Sequence, residues 1–265
     1  MSSKDYFSEV ASDYSRYRPR YPKELFEYLA SLTARRERAW DCATGNGQAA
    51  WGLAAHFQQV IATDLSEKQL SNAVRHERIT YFIAQAEKAD IESDSIDLVT
   101  VAQALHWFDF NAFYKEVHRV LRSDGVIAAW VYKFVHVSPA IDSLIKKFHD
   151  DTVKPYWRPE TSLVDEKFYL LPFPFEEVAP PRFSIEAAWN LDHLKRFLGT
   201  WSAVQTFKEV NGSDPVELIA EDLKRMWGDP KAEKRITWPL YLRVGRAANQ
   251  PEISGQSKVE DSKID

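Results

Sequence analysis

The residues with the clearest chemical potential fall in 38–47, Arg-Ala-Trp-Asp-Cys-Ala-Thr-Gly-Asn-Gly. A short apolar run ends in Asp41, and Gly45 and Gly47 follow where the backbone must bend sharply and let a ligand come close. Residues 48–57 are helix-compatible, so the segment reads as a buried strand turning tightly into a helix. Two readings stay open here. The turn is either a nucleoside-cofactor loop, since Gly45-Asn46-Gly47-Gln48-Ala49-Ala50 satisfies G-x-G-x-x-G/A, or a bare strand-to-helix turn. Asp41 adds a carboxylate that is wrong for a pyrophosphate and right for a cationic or hydroxyl-bearing ligand.

A second group is Gln103-Ala104-Leu105-His106-Trp107-Phe108, directly after the β-prone run 95–101. His106 there is a general base for a hydroxyl acceptor, a donor to an acidic one, or a packed histidine capping the next helix. Trp107 is a pocket wall or a core wedge. A third group, Tyr14, Arg16, Tyr17 and Arg18, forms either an aromatic–cationic lid or a solvated surface. Arg18 has the fork geometry of a bidentate carboxylate clamp. Nine tryptophans are many for this length, so some of them, with Trp130 and Trp201 as candidates, line a cavity, while packing is the default explanation for each one. The seven histidines are scattered without an H-x-x-x-H pair, and there is no G-x-S-x-G elbow, so no metal site is expected.

These residues need elements to carry them. Leu25, Leu29 and Leu32 mark one face of a helix over 23–32, after a short helix around 6–14 and an extended Pro19–Pro22 stretch. Strand 59–63 ends at Asp64, close to the offset of about 20 residues at which an acid meets ribose hydroxyls. Helix 67–75, with Ser66 as N-cap, strand 79–84, strand 95–101 and a helix capped by Asp109 or Asn111 follow. Ser123-Asp124-Gly125 turns the chain into strand 126–131. Strands alternating with helices at this spacing predict a Rossmann-like α/β fold: seven strands, mostly parallel and doubly wound, with helices on both faces.

After Val135 the rhythm breaks. Helices are expected over 141–150, 194–207 and 215–226, strands over 182–189 and 236–244, and a Pro- and aromatic-rich run between 155 and 181. The expected organisation is an N-terminal lid and first helix (1–35), a cofactor-binding core (36–133), a helical lid insertion with the final strands (134–246) and a disordered tail (247–265).

At 265 residues the chain suits one elaborated domain with a substantial core. A net charge of −5 argues against nucleic acid as a partner. The single cysteine, Cys42, fits a reducing compartment. No run approaches the roughly 18 apolar residues that span a bilayer, and the N-terminus lacks the apolar core of a signal peptide, so a cytoplasmic protein is expected. Its oligomeric state, monomer or dimer, is open.

Taken together, these motifs resemble a class I S-adenosylmethionine-dependent methyltransferase of the type 11 domain group. The matching features are Asp41-x-Ala-Thr-Gly45-Asn-Gly47, Asp64, Ala86-Glu87, Ile96-Asp97-Leu98-Val99 and Leu121-Arg122-Ser123-Asp124-Gly125. The opening Tyr17-Arg18-Pro19-x-Tyr21-Pro22, Gln103–Phe108 and Trp201-Ser202 look like the small-molecule subgroup that includes the fungal trans-aconitate methyltransferases. The first glycine of the family's usual G-x-G-x-G is Ala43 here. The resemblance implies S-adenosyl-L-methionine as cofactor, S-adenosyl-L-homocysteine as product and a small-molecule methyl acceptor, at a carboxylate or hydroxyl oxygen.

It further implies that Asp41 serves the methionine end through the loop Ala43, Thr44, Gly45 and Gly47. Asp64-Leu65 would take the ribose hydroxyls, Ala86-Glu87 would flank the adenine, and Gln103 and Ala104 would meet the methionine portion by main chain. His106 and Trp107 become the expected catalytic pair, with Tyr14, Tyr17, Arg18, Trp130 and Trp201 around the acceptor. A solvated loop acid remains the other reading of Glu87. Competing functions are a nicotinamide-dependent oxidoreductase using the same turn and a non-catalytic cofactor-binding protein of the same fold.

Overall fold

Strand β1 (Arg38–Cys42) is buried at four of its five positions, as a parallel strand covered on both faces must be. In this computed structural model, residues 17–158 and 168–247 are described. β1 pairs in parallel with β2 (Gln59–Asp64) on one side and β4 (Ile96–Ala102) on the other. β3 (Ile79–Ile83) extends the sheet beyond β2, and β5 (Leu121–Tyr132) extends it beyond β4. The long β8 (Lys234–Arg246) then runs antiparallel to β5.

The outer side of β8 pairs with two segments, β6 (Glu176–Val178) at one end and β7 (Phe183–Trp189) at the other. Pro180 and Pro181 lie between them. Proline has no N–H to give to a ladder, so the strand is interrupted there and resumes. The eight segments thus fill seven positions in the order β3-β2-β1-β4-β5-β8-β6/β7. The mostly parallel, doubly wound sheet expected from the sequence is present.

Residues alternate cleanly across β5. Val126, Ala128, Trp130 and Tyr132 enter the core beneath α1 (Lys23–Ser31) and α2 (Gln48–Ala54). Ile127, Ala129 and Val131 enter the opposite core, shared with Phe113, Val117 and Val120 of the helix that follows β4. Two short helices carry the expected caps. The Ser66 hydroxyl accepts from the Gln69 amide ahead of α3 (Glu67–Ser71), and Asp109 accepts from the Ala112 amide ahead of α4 (Phe110–Val120). Asp109 is therefore the cap, and not Asn111.

The C-terminal half departs further from the expected elements. α5 (Pro139–Lys147) ends in a π-helical turn, Phe148–Val153, and not in a continuous α-helix. The expected helix 194–207 is two, α6 (Leu191–Gly199) and α7 (Ser202–Asn211), because Trp201 takes an extended conformation between them. The expected helix 215–226 begins as a 3-10 turn, Pro215–Ile219, before α8 (Ala220–Trp227). α8 packs on α5 and α6 to build a helical cap. β5 starts at Leu121, ahead of the expected Val126, with a register irregularity between Ile96 and Leu98. β6 was hidden in the Pro- and aromatic-rich run. The expected helix around 6–14 and the tail from 248 lie outside the described residues.

Candidate active site

The sheet order reverses at β1 and β4: the chain runs outward through β2 and β3, then returns to lay down β4 and β5. Such a switch point leaves a crevice at the carboxyl ends of the strands. A cleft of about 400 Å³ opens there.

The glycine turn forms its floor. Ala43 (φ +53°), Gly45 (φ +57°) and Gly47 (φ +82°) all have left-handed backbone. For alanine that conformation costs roughly 1–2 kcal/mol, and it explains why glycine is usual at position 43 in proteins of this resemblance. Gln103, at the tip of β4, is likewise left-handed (φ +60°) and also lines the cleft. Two of the three non-glycine left-handed residues described therefore sit in one cleft, where strained backbone concentrates in functional sites.

Asp64 ends β2 on the cleft wall. Its Oδ2 accepts from the Gly45 amide and its Oδ1 from the Ser66 amide, each at 2.8 Å. Burial raises its pKa, and the amides of Ser66 and Gly45 oppose that rise. Asp41 lies behind the turn, with no solvent exposure, and does not line the cleft. Its carboxylate accepts from the Thr44 hydroxyl, from the Ala50 amide at 3.0 Å and from the Thr100 hydroxyl at 2.8 Å. Burial still pushes its pKa up to about 6. Asp41 ties turn, helix α2 and strand β4 together, so any action on the cleft passes through Thr44 and the loop.

Of the sequence-derived residues, Ala43, Thr44, Gly45, Asp64, Leu65, Ala86, Glu87, Gln103, Ala104, Trp107 and Arg18 all line this cleft. Glu87 also accepts from the Asp109 amide at 3.1 Å. Arg18 is held by the Tyr132 hydroxyl (3.0 Å) and the Thr200 carbonyl (3.3 Å), with its guanidinium over the Phe197 ring.

Others are placed elsewhere. Gly47 is off the lining and begins α2. Tyr17 turns away from its neighbour Arg18, edge-on to His193 and beneath Arg196. Trp130 is wholly buried under Tyr21 and Phe26, and Trp201 is packed among Phe148, Phe197 and Trp157. Tyr14 lies outside the described residues. His106 is 8% exposed, stacks near Trp107 and has no hydrogen-bond partner at Nδ1. It is off the cleft lining, and burial lowers its pKa to about 4.

Tyr21, Asn46, Gln48, Ser66 and Phe108, which the motifs included without a role at the site, also line the cleft, as do Tyr132 and Arg158, which the sequence did not mark at all. Tyr132 ends β5, the same strand-end position that marked Asp64, and that signal was available. Arg158 lies near the start of the Pro- and aromatic-rich run, in which no periodicity marks a direction. Among the described residues no group of three or more His, Cys, Asp or Glu side chains is arranged to hold a metal.

Residues 40–129 match the Methyltransferase domain family. The fold also superposes on the solved structure of a protein from Anaeromyxobacter dehalogenans assigned as a type II methyltransferase. The TM-score is 0.82 with 40% identity, over 88% of this chain and 99% of that one. This chain belongs to the class I S-adenosylmethionine-dependent methyltransferases. A Dictyostelium discoideum protein named as a methyltransferase is 29% identical over 91% of this chain and 95% of its own length. A Saccharomyces cerevisiae protein named as an S-adenosylmethionine-dependent methyltransferase is 25% identical over 89% and 95%.

The cofactor of this methyltransferase is S-adenosyl-L-methionine, and the residues of the cleft fit it. Space beside Gly45 is open, since a Cβ there would meet nothing within 4 Å. Leu65, Ala84 and Ala86 provide an apolar slot at the ends of β2 and β3, and Asp64 provides an acceptor beside it. No helix among the described residues is long and apolar enough to cross a membrane.

Proposed function

We propose that the enzyme methylates a carboxylate oxygen of a small acidic molecule, with the cofactor lying over the glycine turn. In this reading Asp64 holds the ribose hydroxyls, Leu65, Ala86 and Glu87 border the adenine, and Gln103 and Ala104 meet the methionine portion by main chain. Bound there, S-adenosylmethionine supplies a methyl carbon made electrophilic by its sulfonium.

The acceptor end is argued from which groups are present. Asp64 and Glu87 come from the ends of β2 and β3, on one side of the switch point. On the other side Tyr132 ends β5, with Arg18 bonded to its hydroxyl and Tyr21 against its ring, and Arg158 is a further cation of the lining. The observation that carries the proposal is that the cleft lining offers two arginines, Arg18 and Arg158, and, among the described residues, no histidine, lysine or cysteine.

A hydroxyl acceptor must lose a proton and is helped by a base near neutrality. His106 is a poor candidate: it is off the lining, and burial keeps it neutral with a pKa of about 4. A carboxylate, ionised above about pH 4, needs no base. It needs a cationic partner, alignment with the methyl carbon and exclusion of water, which is the entropic part of catalysis. The resemblance to trans-aconitate methyltransferases supports the same acceptor class.

Replacing Arg18 by alanine tests this. Losing a charge-assisted hydrogen bond of about 1.5–3 kcal/mol should raise the acceptor KM about 10- to 100-fold. Turnover at saturating acceptor should change much less, and the pH profile of the unsubstituted enzyme should stay flat through the histidine range. An unchanged KM in Arg18→Ala, or a rate climbing through pH 6–7, would count against a carboxylate acceptor.

A further inference from the structure

The glycine turn is braced from an unexpected direction, the outer edge of the sheet. Tyr81 lies on the edge strand β3, paired with Ala62 of β2 and thus two strands away from β1. Its hydroxyl donates to the Val74 carbonyl at 2.7 Å. The Val74 amide in turn donates to the Asn46 carbonyl at 3.3 Å, in the middle of the turn. The phenol also lies against Gly47, where an added Cβ would collide with the Tyr81 oxygen and come within 3.2 Å of its Cζ. Arg75 covers the ring from outside, 5.8 Å from its centroid. Asn46, the residue so held, is 6% exposed and lines the cleft, whereas Tyr81 does not line it.

We propose that Tyr81 is a positioning residue: through Val74 and Gly47 it fixes the Gly45-Asn46-Gly47 turn in the shape that receives the cofactor. This rests on the cofactor placement given above. The turn has reason to be braced from outside. Ala43, Gly45 and Gly47 are all left-handed, and a Cβ added at Gly45 would meet nothing within 4 Å, so the hydrogen bond from its amide to Asp64 is not backed by packing on that side. Glycine gains freedom in the absence of such constraint, and fixing it only on ligand binding would cost affinity. Tyr81 stays a donor throughout the working range, because burial raises its pKa to about 12. Gly47 is therefore needed both for its own backbone and for the room it gives this phenol.

The test uses the full chain and S-adenosyl-L-homocysteine as probe, titrated calorimetrically against unsubstituted protein, Tyr81→Phe and Tyr81→Leu. Tyr81→Phe keeps the ring and removes one hydrogen bond, so its Kd should rise about 3- to 10-fold. Its ligand-free melting temperature should move by no more than about 2 °C, and amide hydrogen exchange at 45–48 should quicken without ligand. In the enzyme, the cofactor KM should rise while kcat at saturating cofactor stays within about twofold. If Tyr81→Leu does not fold, Tyr81→Phe alone decides. An unchanged Kd and unchanged exchange in Tyr81→Phe, with the parent binding normally, would overturn the proposal. Failure of the parent to bind the probe would instead refute the cofactor placement.

Discussion

Two buried titratable residues near the cleft pull stability in opposite directions with pH. His106 takes up a proton at about pH 6.5 when unfolded, but only near 4 in the native chain, where burial penalises its charge. Between those values the unfolded state binds a proton that the folded state refuses, so stability falls as pH drops from about 6.5 to 4. Asp41 does the reverse. Its folded pKa of about 6 exceeds the ordinary aspartate value of 3.8, so its contribution is largest in acid and declines as pH rises through that window. The native slope is the sum of both, and a variant isolates one. His106→Gln removes a titration worth about 2–3 kcal/mol by pH 4.5. Urea unfolding at pH 7 and 4.5 should show the variant losing that much less stability than the parent. Equal losses would show that His106 titrates near its ordinary value. His106 was the histidine that sequence position favoured as a catalyst, since it follows β4. What the linear chain did not show was burial: the 3-10 turn Leu105–Trp107 rotates the imidazole inward and leaves Trp107 on the lining.

At the scale of elements, the first helices illustrate why some of the site was readable. α1 presents Leu25, Phe26 and Leu29 to the sheet, and α2 presents Ala49, Ala50 and Leu53 beside them. Phe26 fits against Gly52, where a Cβ would fall within the volume of its ring. Gly52→Ala should therefore destabilise the chain by about 1–3 kcal/mol, the range for overpacking a close-packed core, although alanine favours a helix. Thermal or urea unfolding checks this, and unchanged stability would mean that α1 is free to shift. Residues 38–132 were legible because strands and helices alternate there at short spacing, β2 ends at an acid and β1 runs into a turn with two glycines. Asp64 and the Gly45–Gly47 turn stand out for that reason. The cap was less legible: α6 stops at Gly199 just before the break at Trp201, but the change from 3-10 to α-helix at Ile219 carries no proline or glycine signal of its own. β6 is a three-residue strand that exists only because β8 is there to pair with it. Tertiary pairing of that kind leaves no local trace.

Across the whole molecule, charge is laid out along the sheet order. Acids meet the cleft after β2 and β3, Arg18 meets it at the end of β5, and the glycine turn of β1 lies between them. Tyr132 joins the two halves: it ends β5 in the core beneath α1 and α2, and its hydroxyl holds Arg18 from the N-terminal segment. Arg18 is in turn anchored to Thr200, between α6 and α7, so the acceptor end proposed above is assembled from three distant parts of the chain. Sequence motifs marked the wall proposed for the cofactor because its residues fall in one contiguous stretch, 43–104. The acceptor half was only partly visible, in Arg18, since its members meet only after the cap has folded. The central claim, base-free methylation of a carboxylate, is tested most directly by the stability of the product bond. The enzyme is incubated with a small-molecule metabolite extract and S-adenosylmethionine carrying a labelled methyl group, and the labelled product is treated with mild alkali. A methyl ester should hydrolyse and release the label as volatile methanol, in amounts that fall sharply for Arg18→Ala. Label that stays in an alkali-stable, non-volatile product, as an ether or N-methyl group would, contradicts the account.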